Sequence, residues 1–231
     1  TLVSAGATQD QIKQAFGLDD SIDLMNFDPI AAATAPGASA AEVEAALNIK
    51  AASTSVSNIL DVASESLSSA GVSAANASQT AANVITSKLT TPGFSLADAS
   101  IVEDTLVSIF NDSGATIDPD VAASLSSSMG SKIAAANIAT YQAALSGDSD
   151  ALEQIYKAAK TAQVGLAASA TAVLEADDPT SALSDLDEYD VDAEIASASV
   201  PNNNAFGGLD FELESSEYQI EFFEGVSGSL L

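Results

Sequence analysis

The sequence predicts a mainly α protein: an up-and-down multi-helix bundle with a short C-terminal β-strand appendage. Three observations carry that expectation. Apolar residues make up 47% of the 231 positions but aromatics only 5%, and much of the apolar share is Ala. Ala loses no side-chain entropy in a helix, and its small volume suits close-packed helices better than a β-sandwich. Capping residues and Gly or Pro stops punctuate the first two hundred residues, leaving long helices with short loops between them, the pattern of antiparallel neighbours. Near Val200 the hydrophobic period then changes from helical to two.

The elements follow in order. Thr8 and Gln11 make a capping box for a short helix over 8–16, with Gly17 placed to stop it. The loop 18–29 is acidic, and Leu24, Met25 and Phe27 read as its buried residues. Asp28-Pro29 starts a second short helix, broken at Pro36-Gly37. Ser39 and Glu42 form another capping box and open a long helix, in which Val43, Leu47, Val56, Ile59, Leu60 and Leu67 recur at helical spacing until Gly71. A helix over about 73–90 follows, then the turn Thr91-Pro92-Gly93, then a helix from Ser95 to Phe110. Asp118-Pro119 opens a helix that stops at Gly147, and Asp148 or Ser149 caps the next, which runs to about Glu175. Short helical pieces after Asp177-Asp178-Pro179 continue to about 198. Residues 1–199 therefore read as a helical bundle domain.

Residues 200–231 read as a linker plus β-strands. Pro201-Asn202-Asn203-Asn204 is the linker signal. Beyond it Phe211 and Leu213, then Tyr218, Ile220 and Phe222, alternate with polar residues as two short strands, or as one long strand broken at Ser215-Ser216. Two strands are not stable alone in water. They are expected to pair with a further domain or with another chain.

The charge balance excludes several function classes. Thirty-three acids face six bases, all Lys, for a formal net charge of -27. Such a surface repels the phosphates of nucleic acids and anionic lipid headgroups. It is tolerable where salt screens self-repulsion, as in sea water or another saline, calcium-containing medium. No stretch has the length and apolarity of a membrane span. With no Cys and no His in the sequence, disulfides, thiolate or imidazole catalysis and imidazole metal sites are ruled out for these residues. Ser87-Lys88 and Ser131-Lys132 are the Ser-Lys pairs available, but adjacent helix positions do not face each other. No phosphate-binding or dinucleotide glycine pattern is present.

Calcium is the chemistry for which material exists. It takes six to eight oxygen ligands from carboxylates, carbonyls and water. Asp19, Asp20, Asp23 and Asp28 cluster in one loop; Asp185, Asp187, Glu188, Asp190 and Asp192 cluster before the linker. Of these, Asp185, Asp187, Asp190, Asp192, Asp19 and Asp23 are the candidate ligands, with the second cluster favoured because it sits at a domain junction. Neither has EF-hand spacing, and capping or solvation is the competing explanation for both.

The segment GLDDSIDLMNFDPIAAA resembles a recurring stretch in giant bacterial surface and RTX-type proteins, where it opens an Ala-rich helical domain. KAASTSVSNIL, LTTPGFSLADASIVEDTL, IAAANIATYQAAL and the helix around IYKAAKTAQVGLAASA continue the likeness over roughly residues 5–190. The tail LDFELESSEYQIEFFEG is similar to the opening strands of a Calx-beta-like sandwich, but stops short of a complete one. The resemblance implies an extracellular, multidomain adhesin, surface-layer or matrix component, with cadherin-like, Calx-beta-like or calcium-binding repeats as neighbours. It supplies no functional residues. The first residues, Thr1-Leu2-Val3-Ser4, read as the middle of a longer chain.

Two function classes remain. The first is a non-catalytic structural or interaction module of an exported bacterial protein. Its partners would be other domains of the same polypeptide, other surface proteins, or a second copy through the terminal strands. The alternative is a binding module that holds Ca2+ or a small apolar ligand in the bundle.

Overall fold

The computed structural model describes residues 1–200, and it is mainly helical. The expected strand appendage lies outside the described residues. In chain order the helices are α1 (Gln9–Phe16), α2 (Pro29–Thr34), α3 (Ala40–Ser69), α4 (Ala74–Lys88), α5 (Ala99–Asp112), α6 (Pro119–Ser146), α7 (Ala151–Lys160), α8 (Ala167–Glu175), α9 (Pro179–Glu188) and α10 (Val191–Ser197). A π-helical turn, Thr161–Leu166, joins α7 to α8 without a break.

Local chemistry sets most of these ends. Thr8 with Gln11, and Ser39 with Glu42, close both capping boxes. Asp28, Asp118 and Asp178 each cap a helix whose first residue is proline. Gly17 and Gly147 take the left-handed conformation at helix C-termini, where a Cβ is penalised. Two starts differ from expectation. α5 begins at Ala99, not Ser95, because the Asp98 carboxylate accepts from the Ser100 and Ile101 amides while Ser95–Asp98 closes a turn. α7 begins at Ala151 with Asp150 at the N-cap and no side-chain cap bond, after a turn in which the Ala151 amide donates to Asp148 O.

α3 is the axis of the molecule. It touches α2, α4, α5, α6, α7, α8 and the π turn, and from Ala51 to Leu60 every residue but Ser53 is buried. A helix buried all round needs a surface without bulky polar groups. Ala, Ser and Thr provide it, and several buried hydroxyls find acceptors within their own helix. Ser55 donates to Ala51 O, Ser66 to Val62 O, Ser126 to Ala122 O and Thr140 to Ala136 O, at 2.7–2.9 Å. The Ser-rich composition thus lines helix seams with small groups that cost little to desolvate.

The main core gathers Ile59, Leu67, Ile85, Leu106, Ile109, Leu125, Ile133 and Leu166 with Ala and Val between them. Burial of each such large side chain contributes about 1.5–3 kcal/mol. A smaller core of Leu47, Ala51, Ala143, Ala144, Ala151 and Ile155 joins the start of α3 to the end of α6 and the start of α7. α5 and α6 approach closely: a Cβ added at Gly130 would lie 2.9 Å from the backbone nitrogen of Glu103. Phe16 and Phe94 meet edge to face at 6.0 Å, fastening α1 to the turn before α5. Met25, expected to be buried, is 51% exposed, while Leu24 and Phe27 are partly covered. Among the described residues no helix is long and apolar enough to cross a membrane.

Candidate functional site

The six candidate calcium ligands are all exposed, and several have structural partners. Asp19 Oδ1 accepts from the Ser21 amide at 2.7 Å and the Ser21 hydroxyl at 2.6 Å. Asp23 accepts from the Gln9 and Asn26 side-chain amides and from the Met25 amide. These bonds favour the ionised form, so both carboxyls lie below the usual carboxylate range, Asp19 chiefly through the Ser21 hydroxyl and Asp23 chiefly through Asn26. In the second segment Asp187 Oδ1 accepts from Ser128 Oγ at 2.5 Å, and Asp190 caps α10 by accepting from the Ala193 amide. Asp185 and Asp192 stand at the surface of α9 and α10. Among the described residues, no three carboxylates are grouped so as to hold a metal ion.

Polar order converges instead in the core. The Gln163 amide nitrogen donates to Asn58 Oδ1 at 3.0 Å, Asn58 Nδ2 donates to Asn137 Oδ1 at 2.8 Å, and Asn137 Nδ2 donates to Leu96 O at 2.7 Å. Asn58 and Asn137 are wholly buried. All three bonds run in one direction, so each polarises the next. The chain ties the π turn, α3, α6 and the turn before α5. A π turn holds an extra residue, which rotates the following helix by about 100° relative to the preceding one. Gln163 reaches Asn58 from within that turn. One turn earlier on α3, Thr54 Oγ1 is buried without a hydrogen-bond partner among the described residues.

Another polar cluster fastens the C-terminal helices. Lys132 Nζ, on α6, donates to Asp187 O at 3.0 Å and Tyr189 O at 2.8 Å. Beside it, the Tyr189 ring edge covers Gly165 of the π turn; a Cβ there would fall 2.0 Å from the Tyr189 hydroxyl oxygen. Burial, and secondarily Glu194, push the Tyr189 phenol up to about 12. Lys160 Nζ donates to Ser199 O at 3.2 Å.

The remaining lysines show how few cations meet carboxylates. Lys88 pairs with Asp104 at 2.6 Å and Lys157 with Glu153 at 2.8 Å. Lys13 is buried and donates to Asp20 O at 2.8 Å. Lys50 is held below its ordinary value by burial, partly offset by Asp28. The Ser-Lys pairs do not bond to each other: Ser87 Oγ donates to Val84 O and Ser131 Oγ to Ser128 O. Asp61 on α3, half-buried and one turn from Glu65, has its carboxyl pushed up to about 6, by desolvation first and by the neighbouring charge second.

A recess of about 210 Å³ lies between the end of α5 and the start of α6, bordered by Phe110, Asn111, Ile117 and Pro119. That is smaller than the roughly 300–1,000 Å³ of ordinary small-molecule sites. The amide chain, Gly130 and the Gly165–Tyr189 contact were not singled out by sequence reasoning. The available signal was Asn or Gly inside otherwise apolar helical stretches, SVSNIL and AAANIA among them. Comparisons with protein-family models, curated proteins and solved structures find no match to this chain.

Proposed function

We propose that this chain is a non-catalytic structural and interaction module of a large secreted bacterial cell-surface protein, an adhesin, surface-layer or matrix component. It would space and orient neighbouring domains of the same polypeptide, or contact other surface proteins. The observation that carries this reading is the use made of the six lysines. Thirty-three carboxylates face them in the sequence. Among the described residues only Lys88 and Lys157 form ion pairs with carboxylates, whereas Lys13, Lys132 and Lys160 hold backbone carbonyls. The cations act as internal fasteners, and the acidic surface is left to ions from the medium. Such a surface suits a saline exterior, where screening is supplied continuously.

The packing supports the same reading. The buried amides of Asn58 and Asn137 are tied with Gln163 into one inter-helix chain, which favours a rigid body with one arrangement. The test is location. An antibody raised against the folded bundle should label intact, unpermeabilised cells that produce the parent protein, and external protease should remove the label. Labelling that needs permeabilisation would overturn the proposal.

A further inference from the structure

The last two helices hang on the core by one concentrated polar fastening, and we infer that α9–α10 is a detachable strap with Lys132 as its clasp. The strap opens as a unit while the core around α3 stays folded. Four observations converge on it. α9 and α10 are short, ten and seven residues, below the length at which helices hold themselves together in water. Each places one buried apolar side chain in the core, Leu186 from α9 and Val191 from α10, with Ala182, Leu183 and Ile195 only partly covered, whereas eleven apolar residues of α3 are buried. A segment with so few buried contacts belongs to the low end of the range of local opening free energies.

The fastening itself is polar and concentrated. Lys132 Nζ holds Asp187 O at the carbonyl end of α9 and Tyr189 O in the joint between the helices. Carbonyls at a helix end lack partners in their own helix, and they carry the negative end of its dipole, so one ammonium group satisfies both needs. Ser128, one turn earlier on α6, bonds Asp187 Oδ1. The Tyr189 ring sits in the notch that Gly165 leaves open. Any side chain at 165 would displace it.

Position makes the strap consequential. It lies between the core and the chain beyond residue 200, and Lys160 holds the Ser199 carbonyl at its far end. A pull from the C-terminal side therefore reaches α10 and α9 before it reaches α3. Release of residues 177–199 adds roughly 75 Å of extended chain. The opening is a property of the fold and stands apart from where the protein resides.

Native-state hydrogen exchange read by mass spectrometry on the whole 231-residue chain tests this. In the unaltered protein, amides of α9 and α10 should exchange together and at least about a hundredfold faster than those of α3. Lys132→Met keeps the aliphatic stem and removes both bonds; it should speed α9–α10 exchange about tenfold or more and leave α3 unchanged, with Lys132→Arg restoring slow exchange. Equal protection of α9–α10 and α3 in the unaltered chain overturns the strap. Uniform acceleration by Lys132→Met, or none, overturns the clasp. The first measurement needs no variant, so a Lys132→Met chain that fails to fold does not remove the test.

Discussion

Gly130 has opposite expectations from helix propensity and from packing. In an exposed helix interior, Gly→Ala stabilises by roughly 1 kcal/mol. Here the added methyl meets the Glu103 backbone at 2.9 Å, and backbone cannot rotate away as a side-chain tip can. Gly130→Ala should therefore lose about 1–3 kcal/mol of stability, read as a lower urea midpoint with an unchanged slope. A gain would mean that α5 and α6 separate freely. Asn137 makes the second test at this scale. Asn137→Leu keeps the volume and leaves the Asn58 Nδ2 donor and the Leu96 carbonyl buried without partners. Each unmatched group costs about 1–3 kcal/mol, so the variant should lose roughly 2–5 kcal/mol in urea unfolding. With Asn58→Leu added, the two losses should fall well short of their sum, because one bond is shared.

Within α3, Asp61 works against the element that carries it. Its folded-state carboxyl is pushed up to about 6 from an ordinary 3.8, so the folded state holds the proton more tightly than the unfolded chain does. Between those values the native state binds more protons, and stability falls as pH rises through the window. Below it the carboxyl is protonated in both states and the side chain is neutral. Asp61→Asn removes the ionisation, so its melting temperature should match the parent's near pH 4 and exceed it by pH 7, by the equivalent of about 2–3 kcal/mol at most. A difference between the two proteins that does not change with pH would exclude the mechanism. The helices were legible because their ends are local: Thr8, Ser39, Asp28, Asp118, Gly17 and Gly147 act on backbone groups within a few residues of themselves. What was illegible depends on partners far along the chain. Asn58 and Asn137 are 79 residues apart, and Lys132 meets α9 across more than fifty. The sequence also placed the start of α5 at Ser95, and only the folded turn moves it to Ala99, behind the Asp98 cap. The acidic clusters were visible as composition, while the turn and cap bonds of Asp19, Asp23 and Asp190 emerge only once backbone amides are placed.

For the whole molecule the governing quantity is unneutralised charge. A net charge of -27 raises the energy of the compact state relative to the expanded chain, because folding brings like charges closer. The Debye length shrinks from about 30 Å at 0.01 M salt to 8 Å at 0.15 M and 3 Å at 1 M. Repulsion between carboxylates a helix or more apart therefore fades over that range. Thermal melting should move upward steadily from low salt to about 1 M NaCl, opposite in sign to a protein held together by surface ion pairs. Calcium separates diffuse screening from a built site. At matched ionic strength, CaCl2 and MgCl2 should raise the midpoint alike and without saturation if the acids of 19–28 and 185–192 act only as a spread of charge. A site assembled from Asp185, Asp187, Asp190 and Asp192 would saturate and favour Ca2+ over Mg2+, since Ca2+ accepts more oxygen ligands in looser geometry. It would also compete with the Ser128–Asp187 bond that holds α9 to α6. Occupancy there would then change hydrogen exchange of α9–α10, whereas screening alone would slow opening throughout the molecule. A flat response of the melting midpoint to salt would remove electrostatic self-repulsion as an argument for a saline setting.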